Sequence, residues 1–154
     1  LGMTEGTGRR RCLAPLTTGL ANRSNMLLQT YEAWDDDALA ALFGQYDVFL
    51  NLHKNCANRD APIEAFRIAL LLDAGKLVLS ERGPDADEAE YAGLATFARP
   101  RAIPALHSEL VRRGSVGYRE HQRHVHALFR SRFAPQRIFE RAGVYADWGL
   151  QQVK

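Results

Sequence analysis

The chain has 154 residues, of which 46% are hydrophobic and 25% charged, and it carries a formal net charge of +2. That is enough chain for one domain with a real core, and too little excess charge to argue for a nucleic-acid partner. Cys12 and Cys56, the only cysteines, lack C-x-x-C spacing; they argue against a disulfide scaffold or structural zinc and fit a reducing, cytoplasmic setting.

Leu1 to Arg11 is glycine-rich and basic, and the C-L-A-P-L that follows is too short for the apolar core of a signal peptide. No apolar run approaches the ~20 residues of a membrane span. With Leu rather than Met in first place, the sequence is expected to be a piece of a longer protein or a processed one. Residues 1–25 are read as a poorly ordered or truncated edge. C-L-A-P-L is compatible with a short strand, and T-T-G-L-A-N-R-S-N reads as loop on Gly19, Asn22 and Asn25. Met26 to Trp34 reads as a short strand or the approach to a helix. Asp35 to Asp37 lead into A-L-A-A-L-F-G, a short helix with acidic residues in its first turn, Leu39, Leu42 and Phe43 as its apolar stripe, and Gly44 as its stop.

Asp47 to His53 has the continuous β-branched and aromatic run of a buried strand. Lys76 to Ser80 reads the same way, and Pro62 to Ala74 is the apolar helix between them. Two buried strands joined by a helix are expected to be parallel with a right-handed crossover. Gly75 is expected to end the helix with positive φ. Arg82 to Glu90 reads as loop, with a short helix allowed from Asp85, and Gly93 to Ala98 as a third buried strand. Arg101 to Arg113 reads as a helix with Ile103, Leu106, Leu110 and Val111 on one side, stopped by Gly114. Tyr118 to Phe133 is a charged helix with Tyr118, Val125, Leu128 and Phe129 as its seam. Pro135 starts a short helix with Ile138 and Phe139 buried and Gly143 at its end. The tail with Tyr145, Trp148 and Leu150 is expected to pack back on the domain. Residues 26–154 thus form the expected domain: α/β, a parallel sheet flanked by helices, with further helices at the C-terminus.

The polar residues within these apolar elements sit at their ends. Asn51 and His53 close the first strand, Ser80 and Glu81 the second, and Glu64 and Arg67 lie in the first turns of the helix. In an open parallel sheet, ligands bind at the carboxyl ends of strands and the N-termini of following helices. Glu64 and Arg67, three apart, share a face. As a surface ion pair they contribute at most a few tenths of a kcal/mol. An Arg early in a helix that is apolar almost all round, however, needs a partner and opposes the dipole; a diphosphate would resolve both problems. Asn51 and His53 point to the same face by the pleat, and a His at a strand end is more often structural than a base. A carboxylate at Glu81 is suited to sugar hydroxyls or to capping the loop. His121 and His124 share a helix face, but His126 points elsewhere and no carboxylate or Cys completes a ligand set, so no metal is expected. Arg119, Arg123, Arg130 and Arg132 read as a solvated face without the aromatic interleaving of a nucleic-acid platform. G-x-G-x-x-G, Walker A and G-x-S-x-G are absent.

Taken in order, L-N-L-H ending at His53, E-x-x-R at Glu64 and Arg67, and G-K-L-V-L-S-E from Gly75 resemble the C-terminal donor-binding half of GT-B-type glycosyltransferases of the glycosyl transferase group 1-like kind. Tyr91, G-L-A-T-F-A, Arg132-Phe133 and the closing F-E-R-A-G-V-Y-A-D-W-G-L extend the likeness, which covers roughly residues 37–150. The resemblance implies a Rossmann-like domain binding a nucleotide-sugar donor through Asn51, His53, Glu64, Arg67, Ser80 and Glu81. Arg67 would face phosphate, and Glu64 or Glu81 ribose or sugar hydroxyls. It implies no metal and no cofactor besides the donor substrate. It also implies a second, acceptor-binding N-terminal domain that this sequence does not contain, without which the chain would transfer nothing. It names no catalytic residue. Two departures stand out: K-N-C-A-N-R-D after His53 lacks aromatic residues, and the Glu-x7-Glu of many retaining GT-B enzymes is missing, so the likeness does not extend to a stereochemical outcome. The alternative from the residues is a non-enzymatic α/β interaction module or a decayed transferase domain.

Overall fold

The computed structural model describes residues 36–53 and 60–144, together with Ala14 and Leu16. The expectations for residues 1–11, 17–35 and 54–59 and for the aromatic tail after residue 144 lie outside the described residues. Ala14 and Leu16 are helical, so the C-L-A-P-L run is not a strand at these two positions. Both are strong helix formers, and Leu16 is fully buried in the core.

The centre is a three-stranded sheet in the order β1 (Val48–Asn51), β2 (Leu77–Glu81), β3 (Ala95–Ala98), parallel throughout. All five residues of β2 are buried, as a parallel strand covered on both faces requires. Flanking helices follow in chain order: α1 (Asp36–Gln45), α2 (Ala65–Asp73), α3 (Asp85–Glu90), α4 (Ile103–Arg112), α5 (Gly114–Arg132) and α6 (Pro135–Arg141). This is the α/β class expected, a small open parallel sheet flanked by helices that fits a Rossmann-like arrangement. Every strand and helix expected between residues 36 and 144 is present, with ends shifted by a few residues.

The crossover from β1 to β2 is built by α2. Ile68, Leu71 and Leu72 are its buried stripe, at the i, i+3, i+4 spacing of one helix face. The chain leaves α2 through Gly75 at φ +70°. The Gly75 N–H bonds the Leu72 carbonyl and the Lys76 N–H the Leu71 carbonyl, the two bonds of a Schellman ending. Leu77, where β2 begins, follows immediately. Helix α5 packs on α2 and α4, burying Val125 and Phe129. Phe133 stacks on both Phe129 and Tyr91, with ring centroids 5.1 and 5.3 Å apart. Among the described residues no helix is long and apolar enough to cross a membrane.

Several expectations are corrected. Phe66 is 84% exposed, so α2 is not covered all round; Phe66 lies roughly 200° from Ile68 about the helix axis. Val111 is exposed beside buried Leu110, one step past the buried stripe. Ile138 and Phe139 are exposed as well; α6 is tied down instead by Arg141, whose guanidinium stands 5.6 Å over the Phe133 ring. Gly44 does not stop α1, which runs on to Gln45, and the Tyr46 N–H still bonds the Leu42 carbonyl. The helix of the crossover begins at Ala65 rather than Pro62, with Glu64 at its N-cap and Arg67 in its first turn. Arg130 and Arg132 are not merely solvated. Arg130 pairs with Asp73 at 2.7 Å, and Arg132 donates to the carbonyls of Glu90 and Ala92.

The core assignment separates two apolar side chains of one helix. Leu72→Ala should cost about 2–5 kcal/mol, the range for large-to-small changes at buried sites. Phe66→Ala should stay within ~0.5 kcal/mol. Urea unfolding followed by far-ultraviolet circular dichroism checks both.

Candidate functional site

Parallel register puts Asn51 opposite Ser80, and Ser80 opposite Phe97, at the carboxyl edge of the sheet. The approach to α2 crosses this edge. Ile63 lies over Gly83, where a β-carbon would come within 2.6 Å of the Ile63 Cγ2, so that this crossing needs glycine. The Ile63 N–H is received by the Asp87 carboxylate at 3.2 Å. Glu64 and Arg67 are thereby brought next to the ends of β1 and β2.

From Arg67 a chain of polar contacts runs into the protein. Its Nη1 donates to the Asn51 Oδ1 at 3.1 Å, and its Nη2 pairs with the Glu64 carboxylate. The Asn51 Nδ2 donates to the Ser80 Oγ at 3.0 Å, and that hydroxyl donates to the Glu81 carbonyl at 2.9 Å. The Glu81 carboxylate accepts the His53 N–H at 3.2 Å, and the His53 Nε2 lies 3.1 Å from the Arg82 carbonyl. A carbonyl only accepts, so this contact requires the Nε2–H tautomer. The structure therefore joins all six sequence-selected residues, Asn51, His53, Glu64, Arg67, Ser80 and Glu81, in one network.

They do not play equal parts in it. Asn51, His53, Ser80 and Glu81 are buried. The side chains of Arg67 and Glu64 are 19% and 35% exposed, so these two face solvent. Glu64 stands at the N-cap of α2 but makes no capping hydrogen bond; its carboxylate turns to Arg67 instead. His53 is buried and engaged through both its backbone N–H and its ring. Glu81 is enclosed and holds the chain leaving β1.

Sequence reasoning passed over the outer brace of this edge. Arg82 meets Glu88 through two near-parallel bonds, Nε to Oε1 at 3.0 Å and Nη2 to Oε2 at 2.8 Å. The Glu88 Oε1 also accepts the Gly83 N–H at 2.9 Å. Hydrogen bonding to Glu88, with its charge, raises the Arg82 pKa above its ordinary value. A signal was present: an Arg directly after a strand, with Asp85, Asp87 and Glu88 in the first turn of the next helix.

Away from these residues, a concavity lies between the sheet and the α4–α5 pair. It is a cavity of about 120 Å³ lined by Leu79, Ala95, Thr96, Leu110, His121 and Val125 among others. Burial lowers the His121 pKa, helped by the charges of Arg113 and His124. Among the described residues no group of three His, Cys, Asp or Glu side chains is arranged to hold a metal ion.

Comparison with protein-family models, with curated proteins and with solved structures gives no significant match.

Two outcomes follow from this geometry. Asn51→Leu removes one hydrogen bond from the Arg67 guanidinium and one from the Ser80 hydroxyl, and leaves Arg67 with Glu64 and Ser80 with the Glu81 carbonyl. It should destabilise by about 1–3 kcal/mol, the cost of breaking two bonds at a buried polar site, read as a shift in the urea midpoint. His121 is held below its ordinary value of 6.5, so the unfolded chain binds its proton more tightly than the folded one. Its contribution is fully present above pH ~6.5 and is lost as pH falls through 6.5 toward the folded value. Stability measured from pH 8 to pH 5.5 should decline over that window, and His121→Asn should flatten the decline.

Proposed function

We propose that the chain is the donor-binding half of a GT-B-type glycosyltransferase, binding a nucleotide sugar at the carboxyl edge of β1 and β2. The observation that carries this reading is Arg67. Its guanidinium is oriented by the buried Asn51 side chain, yet its side chain remains 19% exposed at the strand end. That is an anchored fork of donors presented where open parallel sheets bind ligands. Arg suits a diphosphate in both charge and geometry.

In this reading the enclosed residues act indirectly. Ser80 fixes the Asn51 amide, Asn51 aims Arg67, and Glu81 secures the His53 backbone beside them. Glu81 is too deeply enclosed to meet a sugar, which leaves Glu64 as the acidic group within reach of the donor. During transfer the bond between the anomeric carbon and the diphosphate oxygen breaks. A bond to the acceptor oxygen forms, and the acceptor's proton goes to a base on the opposite domain. Arg67 would stabilise the negative charge that gathers on the leaving diphosphate, by fixed donors in place beforehand. The acceptor and its positioning would come from that opposite domain.

The competing reading, a non-enzymatic interaction module or a decayed transferase domain, draws on two observations. Arg67 is already neutralised by Glu64, and Phe66 beside it is 84% exposed, as a protein-contact residue is.

A thermal-shift titration with UDP, GDP, ADP and their sugar conjugates separates the two. A ligand at ~100 times its dissociation constant stabilises by ~2.7 kcal/mol. The donor reading expects a rise with one nucleotide that Arg67→Ala abolishes. A cooperatively melting protein that responds to none of them at millimolar concentration overturns it in favour of the interaction module.

A further inference from the structure

The Glu64 carboxylate takes up the solvent-side nitrogen of the Arg67 guanidinium. Arg67 offers its Nη1 to Asn51 and its Nη2 to Glu64. The first bond is inside the protein, made to a side chain with no solvent exposure. The second lies on the solvent side. It is made by a residue that is 35% exposed, makes no capping bond to its own helix, and has φ −80° and ψ 72°, outside the helical region. Asn51 is thus the fixed partner of the guanidinium and Glu64 the removable one. Nothing in the backbone of α2 depends on the Glu64 carboxylate: the bond that Glu64 makes to the helix, from the Ile68 N–H, is to its carbonyl.

We infer that Glu64 is an internal stand-in for phosphate, which occupies the Arg67 fork in the unliganded domain and is exchanged for the diphosphate when the donor binds. This rests on the reading of Arg67 as the donor's phosphate site, and it assigns Glu64 a role opposite to that of a hydroxyl-holding carboxylate. Carboxylate and phosphate oxygens compete for the same N–H donors with the same charge-assisted bonding. A single phosphate group, with about −1.5 to −2 charges at pH 7, gains less over the carboxylate it displaces than a diphosphate does. A diphosphate brings more charge and more acceptor oxygens, so it wins the exchange where a monophosphate does not. Glu64 is in this way a specificity residue: it raises the threshold of charge a ligand must carry. Once displaced, its half-buried side chain can turn toward the solvent it already meets. The outgoing carboxylate also stays near the N-terminus of α2, where negative charge is favoured.

The test is isothermal titration of wild type, Glu64→Gln, Glu64→Ala and Arg67→Ala with inorganic pyrophosphate, inorganic phosphate, and UDP, GDP and ADP. Unfolding midpoints confirm that each variant is folded. Glu64→Gln keeps the shape and removes the charge, and Glu64→Ala removes the group altogether, so the two should change binding in the same direction. The expected result is pyrophosphate and one nucleoside diphosphate binding about tenfold tighter to both Glu64 variants than to wild type. Phosphate should gain by a similar factor from its weaker starting point, and Arg67→Ala should bind none of them. Pyrophosphate tightened by the Glu64 variants with no nucleotide bound by any protein would uphold the stand-in and sink the donor reading. A nucleotide that binds wild type but binds the Glu64 variants equally or more weakly would do the reverse, and Glu64 would then be a ligand-holding group. Pyrophosphate binding that is absent, or unchanged between wild type and the Glu64 variants, overturns the inference.

Discussion

Four polar side chains, Asn51, His53, Ser80 and Glu81, are buried at one edge of a three-stranded sheet, and the geometry around them follows from the need to satisfy them. A buried polar group without a partner costs about 1–3 kcal/mol, more if charged. Asn51 and Ser80 meet only because β1 and β2 are parallel and in the register that sets them opposite. A slip of one residue in β1 would turn Asn51 to the other face of the sheet and break its bond to Ser80. The same constraint reaches α2, since the Asn51 Oδ1 accepts from the Arg67 guanidinium. One hydrogen-bonded chain thus specifies strand pairing, strand register and the position of the crossover helix.

This explains why so much of the edge was legible from residues alone. A strand that is apolar throughout and ends in Asn or in Ser-Glu is hard to reconcile with a plain core, because its last residues are still inside. The buried run of β2, the φ-positive Gly75 and the apolar stripe of α2 are local signals, each of a single period or a single turn. The conclusion that the polar residues gather needs one further step: in a parallel pair joined by a helix, both strand ends and the helix start lie on the same edge. That step is topological and requires no knowledge of side-chain contacts. What it does not deliver is burial. Asn51 and Arg67 look equivalent in the sequence, as polar residues at element ends, yet one is fully enclosed and the other is not.

The misjudged residues share a cause. Phe66, Val111, Ile138 and Phe139 are apolar helix residues that lie off the buried stripes of the core, and apolar character alone does not imply burial. In a small sheet with few layers a helix contacts its neighbours through a narrow stripe, so residues one step to the side stay exposed. The Arg82–Glu88 brace was missed for a different reason. Its partners belong to a segment read as loop, where acidic residues are ordinarily assigned to solvent. Helix α3 turns them back on the strand end, and the Glu88 carboxylate secures both Arg82 and the Gly83 N–H.

A consequence concerns the division of labour at the edge. Residues that fold the sheet and residues that would meet a ligand are linked through single contacts, but they are not the same residues. Asn51 and Ser80 cannot be altered without disturbing strand pairing, so loss of binding in such variants says little about ligand contact. Glu64 and Arg67 stand on the outer side, where a change of charge leaves the interior bonds of Ser80, Glu81 and His53 in place. The guanidinium bridges the two sets: one nitrogen belongs to the fold through Asn51, the other to the solvent side through Glu64. An arginine held in this way loses little side-chain freedom when it takes a new partner, because the fold has already ordered it. The same pairing gives its charge a partner before any ligand arrives, which reconciles a fixed cation near a helix N-terminus with a stable domain.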